Sequence, residues 1–179
     1  MAQYARPDSD VTSGSWTPST GATLYGVVDE SSASDSDYFY RAGGDDTCEV
    51  GLSNVTDPVS SSGHVLRVRS NKSGAGVITS LTAYLMQGAS TIASTTCYVT
   101  DTTWTTTTLN LSSGEADSIT DYSDLRVRLV QDWASGIATR SQVSWIEFEV
   151  PDAPAVGGQP MMARATTVPY MRQWQAGRR

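Results

Sequence analysis

The chain has 179 residues, with 12 lysines and arginines against 19 aspartates and glutamates, and only 17% of its residues are charged. This length suits one domain with a proper core, and the acidic balance disfavours a nucleic-acid-binding face. The first residues do not form a secretory signal, and no run of about 18 apolar residues predicts a membrane span.

Residues 1–45 contain turn-forming segments, and neither a helical nor a strand period is clear in them. Arg6-Pro7-Asp8 and the serine- and aspartate-rich run 31–37 favour loops. Apolar anchors such as Trp16 nevertheless recur between these loops. We therefore predict an N-terminal arm with short strands, which lies on the body or on a neighbouring subunit, and we expect Trp16 to bind a partner.

Residues 46–150 are predicted to form the body, because short stretches with a period of 2 alternate with turn residues. Ser112 precedes Glu115 by three positions, which is the spacing of a capping box and predicts one helical turn there. The spacing of the strands predicts an antiparallel β-sandwich of jelly-roll type with extended arms at both ends. The predicted strands cover residues 47–52, 65–69, 77–87, 91–100, 104–111, 125–130 and 143–150.

The last two predicted strands have the clearest alternation. Leu125, Val127 and Leu129 occupy one face of the first strand, and Ile146, Phe148 and Val150 form the matching apolar row of the second. We predict that the two strands pair as a central hairpin with opposite charges facing each other. The predicted charge ladder on the outer face consists of Arg126, Arg128, Glu147 and Glu149.

Residues 151–179 carry one acid and four arginines, and prolines and glycines end the periodic pattern. Isolated apolar side chains distinguish this segment from a solvated linker. We predict an extended, basic C-terminal arm that lies along other subunits and whose arginines suit an acidic surface. The predicted partner-binding residues in this arm are Met161, Met162, Arg164, Tyr170, Met171, Arg172, Trp174, Arg178 and Arg179.

Several phrases of the sequence resemble β-sandwich modules of tailed-bacteriophage virion proteins. They are Tyr-Leu-Met-Gln-Gly (84–88), Thr-Trp-Thr (103–105), Leu-Ser-Ser-Gly-Glu-Ala-Asp-Ser-Ile-Thr-Asp-Tyr-Ser-Asp-Leu-Arg-Val-Arg-Leu (111–129) and Val-Ser-Trp-Ile-Glu-Phe-Glu-Val-Pro (143–151). The opening Arg6-Pro7-Asp8-Ser-Asp-Val and the segment Trp16-Thr-Pro are also similar. The resemblance covers about 65–151 and implies a structural part of a virion. The same module occurs in decoration, collar, tail and fibre proteins.

Three groups of side chains have residue types that are found in chemical sites. Glu147 and Glu149 would lie about 6.5 Å apart along a strand, a separation that suits a glycosidase acid and base. Neighbouring arginines would keep both carboxylates ionised, however, which favours a solvated ladder over catalysis. His64 is the only histidine, so a transition-metal site lacks ligands and an edge or turn position is expected. The acidic pairs Asp35/Asp37 and Asp45/Asp46 are expected to be solvated rather than to hold Ca²⁺.

Cys48 and Cys97 are expected to be two buried thiols rather than a disulfide. Exposed aromatic residues offer an alternative function, because Trp16, Tyr38, Tyr40, Trp104 and Trp133 could form a sugar-binding platform.

From the sequence we predict a virion structural protein without enzymatic activity and without a cofactor, assembled in the host cytoplasm. The role expected first is a capsid decoration or cement protein that bridges subunits through its arms. Collar, tail or fibre placement, or a carbohydrate-binding module for host attachment, is the alternative. The expected partners are major capsid or neck and tail subunits, copies of the chain itself and a surface glycan, with no direct nucleic-acid or membrane contact.

Overall fold

Two antiparallel sheets make up almost all of the regular structure in a computed structural model, which describes residues 1–135 and 138–153. Within these two described ranges, one helix, α1 (Ser113–Asp117), and one 3-10 turn (Tyr25–Val27) interrupt the strands. The strands are β1 (Gln3–Ala5), β2 (Pro7–Thr12), β3 (Thr17–Pro18), β4 (Phe39–Ala42), β5 (Asp46–Leu52), β6 (Val65–Ser73), β7 (Val77–Gln87), β8 (Ser90–Cys97), β9 (Thr105–Asn110), β10 (Leu125–Ser135) and β11 (Arg140–Val150).

The first sheet has the strand order β3-β4-β11-β6-β9, with β1 also paired to β11. The second sheet has the order β2-β5-β10-β7-β8. Both are antiparallel throughout, and their apolar faces enclose one continuous core. The predicted antiparallel β-sandwich of jelly-roll type is thereby confirmed.

The predicted hairpin between the last two strands is wrong. β10 pairs with β5 and β7 in the second sheet, whereas β11 pairs with β6, β4 and β1 in the first. The connection between them therefore crosses from one sheet to the other. Alternation along a strand specifies which side chains face the core, but it does not specify the neighbouring strand.

The apolar rows predicted for these two strands do face the core. The side chains of Val127 and Leu129 on β10, and those of Ile146, Phe148 and Val150 on β11, are completely buried. Their burial against the opposite sheet supplies the main stabilising term of the sandwich, about 1.5 to 3 kcal/mol for each large side chain.

The N-terminal residues belong to the sandwich. β1 pairs with β11 and β2 pairs with β5, so the chain passes from the first sheet to the second near Arg6. Trp16 is only 4% exposed, and its ring meets that of Phe39 edge to face at 5.5 Å between centroids. The prediction that Trp16 binds a partner is therefore wrong, because its indole fills the protein's own core. The predicted C-terminal binding residues lie outside the described residues.

The predicted helical turn is confirmed at α1. The Ser112 hydroxyl accepts a hydrogen bond from the backbone N–H of Glu115, and the Glu115 carboxylate accepts one from the backbone N–H of Ser112. These reciprocal bonds satisfy two donors that the first turn would otherwise leave free. The Glu115 carboxylate also accepts a hydrogen bond from the Ser112 hydroxyl, and this bond, followed by the one from the Ser112 backbone N–H, lowers the pKa of the Glu115 carboxyl.

Candidate functional site

The four residues of the predicted charge ladder lie on outer faces, but they form two separate networks. Arg126 and Arg128 on β10 both donate hydrogen bonds to Glu49 of the neighbouring β5. Arg126 also pairs with Asp124 at 2.8 Å, the first cause of its raised pKa. The prediction that these arginines face Glu147 and Glu149 is therefore wrong, because β10 and β11 belong to different sheets.

The second network is on the outer face of the first sheet. Arg67 on β6 reaches both Glu147 and Glu149, with a distance of 2.6 Å to the latter, and Arg6 also donates a hydrogen bond to Glu147. Glu147 is only 5% exposed. The Arg67 guanidinium therefore bridges the two carboxylates in one ion-pair network on this face.

His64 differs from its predicted position at an edge or turn. It is 1% exposed, just before β6, and its Nε2 is 2.8 Å from the Tyr122 hydroxyl. The ring also lies 6.0 Å from that of Phe148. Burial lowers the pKa of His64 and raises that of Tyr122 to about 12. The pair is therefore neutral at pH 7 and acts as a polar link in the core. This contact could not be predicted from the sequence, because 58 positions separate the two residues.

The acidic pairs considered for calcium have protein partners. Asp35 accepts two hydrogen bonds from Arg69 and one from Ser144, which lower its pKa. Asp46 pairs with Arg41. In residues 1–135 and 138–153, no three His, Cys, Asp or Glu side chains are grouped as metal ligands.

Three of the aromatic residues that the sequence offered as a sugar platform come together. Tyr38 lies between Tyr40 and Trp104, with ring centroids 6.2 Å and 5.8 Å away, and all three rings are partly exposed. The guanidinium of Arg140 lies 4.4 Å from the centroid of the Tyr40 ring. We call Tyr38, Tyr40 and Trp104 the aromatic cluster. Trp16 is in the core instead.

The loop before β4 positions this cluster. Asp35 is held by Arg69 of β6 and by Ser144 of β11, and the Trp145 indole donates a hydrogen bond to the carbonyl of Glu30 at 2.8 Å. These bonds fasten the loop across the first sheet. Tyr38 can therefore reach Trp104, which directly precedes β9.

A cleft of about 500 Å³ opens between the sheets, where β7 and β8 of the second sheet approach β9 of the first. We call it the edge cleft. Buried Ile78, Cys97 and Val99 contribute apolar surface, and the hydroxyls of Thr105 and Thr107 line the opposite side. Its volume and mainly apolar lining with a few polar groups are typical of small-molecule sites.

The cleft arises because the inward row of β6 changes character along the strand. Leu66 and Val68 are apolar, but the next inward residues are Ser70 and then Lys72, which lines the cleft. On the paired strand β9, Leu109 gives way to Thr107 and Thr105 in the same direction. The short, polar side chains of Ser70, Thr105 and Thr107 do not fill the space between the sheets. The change from apolar to polar residues can be seen in the sequence of each strand. That it forms a cleft follows only from the pairing of β6 with β9.

The two cysteines are confirmed as buried, unpaired thiols. Burial raises the pKa of the Cys97 thiol to about 12 and that of Cys48 well above its usual value. Because the thiolate is the reactive form, Cys97 contributes apolar surface to the edge cleft rather than a nucleophile at pH 7.

No protein-family model and no curated protein matches this chain. A solved Stig cyclase from Fischerella sp. TAU, in complex with (3Z)-3-(1-methyl-2-pyrrolidinylidene)-3H-indole, is similar in structure at 12% identity and a TM-score of 0.51, over 86% of this chain and 100% of the cyclase. Another cyclase structure from Fischerella sp. TAU is 15% identical with a TM-score of 0.48, over 84% of this chain and 89% of that one.

This likeness corrects the expectation that the chain is not an enzyme. A β-sandwich of the same fold, covered over its whole length, is a cyclase, so the fold gives no ground for excluding catalysis. At 12% identity the likeness concerns the fold and does not carry the cyclase reaction to this chain. The chain is thus a jelly-roll-like β-sandwich with an edge cleft and an aromatic cluster. Among the described residues, no helix is long and apolar enough to cross a membrane.

Proposed function

We propose that the protein is a structural component of a tailed-bacteriophage virion, and that it decorates the capsid by bridging neighbouring subunits. The observation that carries the proposal is the resemblance of residues 111–129 and 143–151 to virion sandwich modules. These residues provide α1, the first part of β10 and most of β11, and both sheets are arranged around these two strands. The resemblance therefore involves the elements that make the module, not a peripheral motif.

The composition of residues 154–179 supports a bridging role. They contain four arginines and no acid, together with methionines and aromatic residues, whereas the whole chain has a net charge of −7. A basic segment with apolar side chains suits an acidic protein surface, including the body of another copy. Collar, tail or fibre subunits offer the same kind of surface, so these positions in the virion are the alternatives within the proposal.

Reconstitution on particles tests this proposal. The full chain and a version ending at Pro151 would be mixed with particles that lack the protein, and bound copies would be counted and located by electron microscopy. We expect regular density for the full chain and reduced occupancy for the shortened chain. Added salt should weaken the arginine contacts. Absence of the full chain from purified particles would refute the virion role, and full occupancy of the shortened chain would refute bridging by the tail.

The aromatic cluster supports a second candidate, glycan recognition during host attachment. Sugar rings present C–H groups that stack on aromatic faces, and the nearby Arg140 side chain offers hydrogen-bond donors. The rings of Tyr38 and Trp104 are inclined by 52° to each other, which suits a curved saccharide chain better than a flat one.

A glycan array probed with the full chain, followed by titration of any bound glycan, tests this candidate. Trp104→Ala should reduce affinity by tenfold or more, since stacking on one aromatic ring contributes on the order of 1 to 3 kcal/mol. Tyr4→Ala is the matched control, because Tyr4 is an exposed ring elsewhere on the surface. Equal loss in both variants, or no binding of any glycan, would exclude recognition through the aromatic cluster.

A further inference from the structure

The edge cleft contains a cation, Lys72, that makes no close ion pair. Its one electrostatic contact with a carboxylate is weak: the pKa of Asp101 is lowered first by the backbone N–H of Thr103 and last by Lys72. Lys72 is the only lysine in the chain, and its ammonium group donates a hydrogen bond to the carbonyl of Gly76 at 3.0 Å. Within residues 1–135 and 138–153, it lies within ion-pair distance of no carboxylate. Of the described arginines, all but Arg140 have such a partner, and the Arg140 guanidinium lies over the Tyr40 ring instead.

The position of Lys72 adds to this contrast. It continues the inward row of β6 and lines the same cleft as Ile78, Cys97 and Val99. The hydrocarbon part of a lysine side chain packs well on apolar surface, while its ammonium group stays in contact with solvent. The cleft therefore has an apolar side, a row of hydroxyls on Thr105 and Thr107, and one positive charge.

The walls of the cleft are held in place by side chains. β8 and β9 are the outer strands of their sheets and do not pair with each other. Instead, the Thr107 hydroxyl accepts a hydrogen bond from the backbone N–H of Tyr98 at 3.2 Å, and the Ser70 hydroxyl donates one to the carbonyl of Tyr98 at 2.7 Å. These bonds tie the segment after β8 to the first sheet, so that the cleft is formed before any ligand arrives.

We propose that the edge cleft binds a small molecule with an apolar body and one anionic group, such as a carboxylate, which pairs with Lys72. The volume of about 500 Å³ accommodates a body of one or two rings or a short hydrocarbon chain. A cationic ligand is disfavoured because it would meet the ammonium group at the same place.

Three probes that share one apolar body test the proposal: 4-phenylbutyrate, 4-phenylbutan-1-ol and 4-phenylbutylamine. Each would be titrated into the full chain labelled with nitrogen-15, and affinities would be read from shifts of the backbone amide signals. We expect the carboxylate to bind about fivefold more tightly than the alcohol, the factor for an ion pair of about 1 kcal/mol. The amine should bind most weakly. The largest shifts should occur at Ser80, Thr96 and Thr107.

Matched variants locate the site. Thr107→Phe fills the cleft and should abolish binding, while Thr108→Phe places the same ring on the exposed, outward side of β9 and should leave it unchanged. Lys72→Met should make the carboxylate and the alcohol bind equally, and Lys72→Arg should restore the preference. Circular dichroism and thermal unfolding would verify that each variant folds. If Thr107→Phe does not fold, the loss of selectivity in Lys72→Met tests the proposal by itself.

Two results would overturn the proposal. One is equal affinity of the three probes for the unmodified chain, because Lys72 would then have no role in selection. The other is a set of shifts centred on Trp104 and insensitive to both Thr107→Phe and Lys72→Met, because the probe would then occupy the aromatic cluster.

Discussion

Glu147 and Glu149 allow a direct measurement of how burial changes the contribution of an ion pair to the free energy of unfolding. Both lie on the outward face of β11 and both contact Arg67, but Glu147 is also bound by Arg6. The side chain of Glu147 is 7% exposed and that of Glu149 is 25% exposed. Replacing Glu147 by alanine leaves the Arg6 guanidinium without its carboxylate partner in a partly buried position.

We expect Glu147→Ala to lower the free energy of unfolding by about 3 kcal/mol. Loss of one partner of a fully buried pair costs about 3 to 5 kcal/mol, and the partial exposure of both arginines places this case at the lower end. Glu149→Ala should cost only about 0.5 to 1 kcal/mol, because its pair with Arg67 is partly solvated. For a chain of this size, the melting temperature should fall by about 6 to 12 °C for Glu147→Ala.

Urea unfolding followed by circular dichroism, with linear extrapolation to water, measures both values on the same scale. Glu147→Gln is the control that keeps the size of the side chain but removes its charge, and it should fall between the other two variants. If Glu147→Ala and Glu149→Ala agreed within about 0.5 kcal/mol, burial would not be the property that distinguishes the two pairs.

Three further predictions concern the core and the helix cap. Burial lowers the pKa of His64, so the unfolded chain binds a proton more readily than the folded one. The contribution of His64 to the free energy of unfolding should be complete above about pH 6.5 and should decrease as the pH falls towards the lower pKa of the folded state. Unfolding curves of His64→Phe, measured between about pH 8 and 5, should lack this pH-dependent decrease. Trp16→Ala should cost about 3 to 5 kcal/mol in urea unfolding, because it empties the core beside Phe39, and an unchanged stability would contradict the burial of Trp16. Ser112→Ala should cost about 1 kcal/mol through loss of the cap on α1, measured by thermal unfolding, whereas Ser113→Ala should have little effect.

The sequence predicted local structure well, because local structure depends on neighbouring residues. Alternation identified the inward rows of β10 and β11, and the spacing of Ser112 and Glu115 identified the capped turn. Strand pairing depends on contacts between distant residues, and for this reason β10 and β11 were wrongly predicted to be partners. The burial of Trp16 was missed for the same reason, since its neighbours in sequence resemble those of a loop.

The candidate sites show the same division. Tyr38, Tyr40 and Trp104 were recognised as candidates by residue type, but only the loop held by Asp35 brings Trp104 to the other two. The edge cleft was not predicted, because Lys72 and Thr107 become neighbours of one cavity only after β6 and β9 have paired. The sequence therefore indicates which residue types could form a site, whereas only the fold shows which of these residues lie together.

The crossing from β10 to β11 makes each sheet depend on the other. Since the two strands are adjacent in the chain yet occupy inner positions in different sheets, neither sheet can peel away without pulling on the middle of its counterpart. The molecule should therefore open as one cooperative unit, with amide hydrogens near Val127 and Ile146 exchanging only through global unfolding. The outermost strands β8 and β9 should exchange much sooner, through fraying that leaves the rest intact.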